Sequence, residues 1–155
     1  MKCLFVIDMQ EDYVGSERNR KIYPYDTTSL TANINKKTSE YPSENVFYIT
    51  NKFFWEYRKK PKLINELLVV SNNFYVKKKT SCFSNVDLLN QLKKMNVHTI
   101  ELVGVDGNYC VGRSAMEARK KGFHVLMDLS CVGIANTKKF QHTKDILKDL
   151  GVNFI

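Results

Sequence analysis

ELVGVDGNYCVGRSAMEARKKG, Glu101–Gly122, reads as one buried strand, one short loop and one helix. The strand comes from the aliphatic and β-branched run Thr99–Val103, and the loop from the glycine-containing VDGN. The helix, Val111–Lys121, is rich in small residues, and Gly122 follows it where a left-handed C-terminal cap is needed. Apolar runs of the same kind recur at Cys3–Ile7, Val46–Ile49, Phe74–Val76, Val125–Met127 and Val152–Ile155. Helical patterns separate them, clearest at Val86–Met95 and Lys138–Leu150 and weaker at Leu30–Lys37 and Leu63–Leu68. Ser84 or Asn85 can cap the helix at Val86, Thr137 can cap the last one, and Gly151 can close it. Near-continuous apolar strands alternating with helices predict an α/β fold, a three-layer α/β/α doubly wound sheet, mainly parallel, of about six strands. In such a sheet ligands bind beyond the carboxyl ends of the strands, where the strand order reverses. The segments Glu11–Ser29 and Lys52–Lys62 read as longer surface loops.

The chain has 155 residues, 43% of them hydrophobic, which suits a single domain over residues 1–155 with one continuous core. It holds no apolar run long enough for a membrane helix and no signal-peptide pattern at its start, so the expectation is a cytoplasmic protein without a membrane partner. Its four cysteines, Cys3, Cys82, Cys110 and Cys131, form no CxxC pair and have no histidine at metal-ligand spacing, which argues against a disulfide framework or a zinc site. The net charge of +8 would attract polyanions. Its lysines are scattered over helical faces, without the aromatic and basic alternation of a single-strand binding surface, so no nucleic-acid partner is expected.

Two residues stand at the ends of apolar strands with chemistry to offer. Asp8 closes LFVID, and by itself could simply cap the following loop. Cys110 begins the helix of the quoted segment, where unpaired N–H groups and the helix dipole favour a thiolate. Inert packing is the ordinary role of a cysteine and suits Cys3, Cys82 and Cys131. A third group follows the Phe74 strand in VKKKTSCF, where one lysine turned inward could orient Asp8 and favour the thiolate while Asp8 shuttles the thiol proton. The residues alone do not choose among Lys77, Lys78 and Lys79.

LFVIDMQEDY, KKKTSCF and GVDGNYCVGRSAMEARKKGF, in this order and spacing, resemble the isochorismatase-like cysteine hydrolases, a superfamily that includes nicotinamidases and several small amidohydrolases. The resemblance runs over essentially the whole chain. It implies Asp8 as general base and acid, Cys110 as nucleophile and Lys77 as the lysine of the triad. It also implies a non-proline cis peptide joining Val105 to Asp106, with the backbone N–H groups of Asp106 and Cys110 forming an oxyanion hole. Metal-using nicotinamidases carry an Asp-x-His pair just after the second strand, and the matching positions here are Lys52 and Phe54, so neither a metal nor any other cofactor is expected. His98, His124 and His142 read as ordinary strand-start and helix-face residues. Tyr13, Phe53, Phe54 and Trp55 are the candidate aromatic walls of a substrate pocket. The implied partner is a small-molecule substrate, and a homo-oligomer is compatible, since many relatives bury active-site walls against neighbouring subunits. The implied activity is metal-independent hydrolysis of a small amide or related C–N bond through a thioester. The alternative is a non-catalytic binding or regulatory domain retaining the fold.

Overall fold

A computed structural model describes residues 1–155. Seven strands, all paired in parallel, form one sheet: β1 (Lys2–Ile7), β2 (Val46–Asn51), β3 (Phe74–Lys77), β4 (Thr99–Val105), β5 (His124–Met127), β6 (Val132–Gly133) and β7 (Val152–Phe154). Their order is β3-β2-β1-β4-β5-β7, with the two-residue β6 pairing β4 beyond the end of β5. The strand order reverses between β1 and β4, the switch point of a doubly wound sheet. Strand β6 escapes a reading by periodicity because two residues carry no pattern.

Five α-helices join the strands: α1 (Glu11–Val14), α2 (Thr27–Ser39), α3 (Val86–Lys94), α4 (Cys110–Lys120) and α5 (Thr137–Asp149). The central strand β1 is apolar on both faces because both are covered. Cys3, Phe5 and Ile7 pack with Leu88 and Leu92 of α3, Val111 and Ala115 of α4, and Phe140 and Leu147 of α5. Leu4 and Val6 pack on the opposite face with Leu30 and Ile34 of α2. Three layers result.

Local chemistry explains several boundaries. Asn85 rather than Ser84 caps α3, its side chain accepting from the Leu88 N–H. At α5 the cap is Asn136, one residue before the expected Thr137, because its amide oxygen reaches the Lys139 N–H. Gly122 and Gly151 follow α4 and α5 with positive φ, as expected. The weak helical pattern at Leu63–Leu68 is not a helix: Leu63 forms an isolated antiparallel bridge to Gln10, and turns follow. Six residues behind Pro61 are too few to nucleate a helix, and Ile64 and Leu67 are buried by tertiary packing instead. The Glu11–Ser29 stretch is more ordered than a plain surface loop. It holds α1 and the start of α2 and buries Val14, Arg18 and Tyr25, with the Arg18 guanidinium donating to the carbonyls of Gly15, Tyr23 and Tyr25.

No helix is long and apolar enough to cross a membrane.

Candidate active site

Parallel strands share one carboxyl edge, and three of them deliver a functional side chain there. Asp8 follows β1, Lys77 is the last residue of β3, and Cys110 opens α4 after β4. Asp8 holds a left-handed backbone, φ +55°, at the turn out of β1. β1 and β4 are neighbours, so Asp8 and the loop to Cys110 lie side by side. Their close approach requires glycine: a Cβ on Gly104 would stand 2.0 Å from the Ile7 carbonyl oxygen. In the same way a Cβ on Gly112 would meet the Gly107 carbonyl oxygen at 2.2 Å, so the first turn of α4 can lie on the loop before Cys110 only without a side chain there. β3 is two strands from β1, about 10 Å, a span that only a long side chain bridges.

Lys77 bridges it. Its Nζ lies 3.1 Å from Asp8 Oδ2, donates to Asn51 Oδ1 at 2.9 Å and stands 3.2 Å from Cys110 Sγ. All three donors of the ammonium are used, and both members of the ion pair are buried. Lys78 and Lys79 are exposed, so the lysine left open by the residues alone is Lys77. Asn51, the last residue of β2, is itself clamped: its N–H donates to Gln10 Oε1 at 2.9 Å, its carbonyl accepts from Gln10 Nε2, and its Nδ2 donates to the Tyr13 hydroxyl.

Burial acts on the sulfur against the thiolate that the helix N-terminus favours. Burial pushes the Cys110 thiol up to about 12, the Asp8 charge adds to this, and Lys77 opposes both. Burial and the Asp8 charge thus favour the thiol, while Lys77 and the helix N-terminus favour the thiolate. Burial likewise raises the Asp8 carboxyl, against the lowering effects of Lys77 and of a hydrogen bond to Cys110. Asp8 Oδ1 has no other hydrogen-bond partner, which leaves an acceptor free for a proton leaving the sulfur. With the thiol at about 12, its alkylation by iodoacetamide is expected to rise about tenfold per pH unit from about pH 7 to pH 10. Cys110 should still be labelled first, since Cys3, Cys82 and Cys131 are buried. Mass mapping across that range checks both points, and a rate that levels off below about pH 8 would show a thiolate instead.

The loop before Cys110 supplies two unpaired amides. The peptide joining Val105 to Asp106 is cis. The N–H groups of Asp106 and Cys110 donate no hydrogen bond within the chain, whereas those of Gly107, Tyr109 and Val111 do. The Asp106 carboxylate accepts the Asn108 N–H at 2.7 Å, the Ala135 N–H at 2.7 Å and the Tyr25 hydroxyl at 2.9 Å, tying three segments together around the site.

Asp8, Asp106 and Cys110 line an open cleft of about 530 Å³. Of the expected walls, Tyr13 and Phe53 line it and Phe54 and Trp55 do not. Phe54 is 80% and Trp55 61% exposed; Trp55 stacks on the outer side of the cleft wall against Phe53, at 4.5 Å between ring centroids. The short turn at Phe54–Glu56, with Glu56 accepting the Phe53 N–H, turns these rings outward. The aromatics that take their place are Tyr23, Tyr25 and Tyr109. The cluster IYPYD, Ile22–Asp26, was the available signal for the first two, concealed inside a segment read as loop. Asn51 was legible by the rule that selected Asp8, a polar residue ending an apolar strand.

Lys52 and Phe54 present an ammonium and an exposed ring, neither of which is a donor for a divalent ion. No three His, Cys, Asp or Glu side chains converge in a way that could hold a metal, and His98, His124 and His142 are all exposed on the far elements. The residues present do not fit a metal centre.

No curated protein sequence matches the chain. Among solved structures, PnC1 from L. infantum in complex with nicotinate matches with a TM-score of 0.83 at 19% identity, over 100% of this chain and 92% of that one. The pyrazinamidase/nicotinamidase of Streptococcus mutans matches with a TM-score of 0.77 at 19% identity, over 100% of both chains. The N-carbamoylsarcosine amidase of Thermoplasma acidophilum matches with a TM-score of 0.77 at 17% identity, over 99% of this chain and 94% of that one. These likenesses establish the mainly parallel α/β fold. The isochorismatase domain model matches residues 2–153, nearly the whole length, and the chain therefore belongs to the isochorismatase domain family.

Proposed function

We propose that this member of a hydrolase family is a metal-independent cysteine amidohydrolase, acting on a small amide or related C–N bond through a covalent thioester. The observation that supports this most directly is the convergence of Asp8, the buried Lys77 and Cys110 within hydrogen-bond reach, with Asp8 and Cys110 lining an open cleft. Solved structures of similar fold include proteins described as nicotinamidases and an N-carbamoylsarcosine amidase, all named for hydrolysis of C–N bonds.

The substrate carbonyl lies over Cys110 with its oxygen toward the free N–H groups of Asp106 and Cys110. As Sγ attacks the carbonyl carbon, its proton passes to Asp8. Because thiol and carboxyl are both raised by burial, the transfer exchanges one buried anion for another rather than creating charge in a dry site. The negative oxygen of the tetrahedral intermediate is held by the two amides. Asp8 then returns the proton to the leaving nitrogen, the C–N bond breaks, and a Cys110 thioester remains. Water, deprotonated by Asp8, attacks the thioester. The C–S bond breaks, the acid is released, and the sulfur recovers its proton. Lys77, held by Asn51, keeps Asp8 oriented, and its nearby ammonium favours the carboxylate form of Asp8 against the burial that raises it.

A panel of small amides and ureides, assayed by ammonia release beside Cys110→Ala, tests this reading. Turnover of at least one member, lost in the variant and unchanged by EDTA, is the expected result. Nicotinamide should be a poor substrate, because Lys52 and Phe54 offer nothing to hold a metal that would bind the pyridine nitrogen. Elemental analysis showing stoichiometric zinc, iron or manganese, with turnover abolished on its removal, would overturn the metal-independent reading.

A further inference from the structure

The charges lining the cleft do not balance, and the imbalance bears on what it accepts. Three formally charged residues line it: Asp8, Lys21 and Asp106. Asp8 is compensated by Lys77 at 3.1 Å. Asp106 is 7% exposed and has no cationic partner; its three hydrogen bonds come from two backbone amides and from a tyrosine hydroxyl. Burial and Asp106 itself hold the Tyr25 hydroxyl well above its ordinary range, so Tyr25 remains a neutral donor. Lys21 is exposed at the rim, and the exposed Lys139 donates to the Tyr109 hydroxyl at 3.2 Å with its Nζ 4.5 Å from that ring's centroid; solvent and salt screen both. The interior of the cleft thus presents a carboxyl group without a cationic partner together with the rings of Tyr13, Tyr23, Tyr25 and Phe53, a combination that attracts cations through both charge and ring quadrupole.

We propose that Asp106, set among Tyr13, Tyr23, Tyr25, Phe53 and Tyr109, makes this cleft selective for substrates bearing a cationic group, an ammonium or amidinium, close to the scissile carbonyl. The proposal rests on Cys110 as the nucleophile, since it is the position of the sulfur that defines where the carbonyl lies. Asp106 then serves twice: its N–H faces the oxyanion, and its carboxylate sorts substrates by charge. An anionic group at the same place would meet Asp106 without a counter-ion and lose its hydration.

The local potential can be read without a known substrate. Methanethiosulfonates carrying a trimethylammonium or a sulfonate group both convert a thiol to a mixed disulfide with release of methanesulfinate, and they differ in charge. On the full chain, the rate at Cys110 is followed for each reagent by mass mapping, and the cation/anion rate ratio is divided by the same ratio for a free small thiol. Any change in the nucleophilicity of the sulfur affects both rates and cancels. The expected normalised ratio is about ten, for opposite charges approaching within several ångströms of Asp106 in a hydrated cleft. Asp106→Asn should bring it close to one, whereas Tyr25→Phe, which keeps the charge, should leave it raised. A wild-type ratio of one or below overturns the proposal even where Asp106→Asn fails to fold, as does a ratio unchanged in an Asp106→Asn protein with a native circular dichroism spectrum. Failure of the hydrolase reading has a different signature, no ammonia release from any amide. In an enzyme that does turn over, faster hydrolysis of anionic than of cationic amides would also overturn the charge assignment.

Discussion

Cys110→Ala is expected to lower amide turnover by about 10⁴-fold or more while leaving the fold intact, because in the proposed mechanism it removes the atom that forms the covalent intermediate. Residual activity would come from the two amides proposed to hold the oxyanion and from the proposed base Asp8 acting on water, both of which survive the substitution. The stability change should stay within about 1 kcal/mol, since Cys110 is half-buried at the head of a helix and alanine is a better helix former. Measuring kcat and the urea midpoint on the same preparation separates the two effects. Turnover within about tenfold of wild type would remove Cys110 from the chemistry, and the site would then have to be read as a water-activating carboxylate or as a binding pocket.

Lys77→Met is expected to strike both stability and activity. Methionine matches the length and volume of the lysine stem but removes the charge that compensates Asp8, leaving a carboxylate 1% exposed without its cation and Asn51 Oδ1 without its donor. Breaking a buried pair from one side costs about 3–5 kcal/mol, so unfolding in urea should shift accordingly. The companion change Asp8→Asn in the same chain removes the orphaned charge and should restore much of that loss, though not turnover. A loss below about 1 kcal/mol for Lys77→Met would mean that the pair is solvated in solution. Labelling gives a second view: Lys77 is what lowers the Cys110 thiol, so its removal should slow alkylation at a given pH.

The reading of Phe54 and Trp55 as pocket walls shows where sequence reasoning loses its hold. Both sit beside Phe53, which does line the cleft, and nothing in KFFWEY distinguishes a ring facing in from one facing out. The direction is set by the turn at Phe54–Glu56 and by the Glu56 carboxylate accepting the Phe53 N–H, a bond whose geometry the order of residues does not reveal. Tyr23 and Tyr25 illustrate the opposite error. They lie in a stretch without helical or strand periodicity, and they reach the site because Arg18 gathers the surrounding carbonyls and Asp106 holds the Tyr25 hydroxyl from 81 positions away.

What was legible from residues alone is the alternation of strand and helix, the parallel sheet, and the placing of Asp8 and Cys110 at its carboxyl edge. Hydrophobic periodicity and glycine caps are local, and a polar residue ending an apolar strand has few places to go in a sheet covered on both faces. The choice of Lys77 over Lys78 and Lys79 was not legible by that route, because three identical neighbours differ only in the pleat of β3 and in which of them pairs opposite Asn51. Nor was the desolvation of the sulfur. The helix N-terminus that favours a thiolate is visible in the sequence. The desolvation that opposes it is a sum over everything packed around Cys110, drawn from strands and loops far apart in the chain, and that sum exists only once they have folded together.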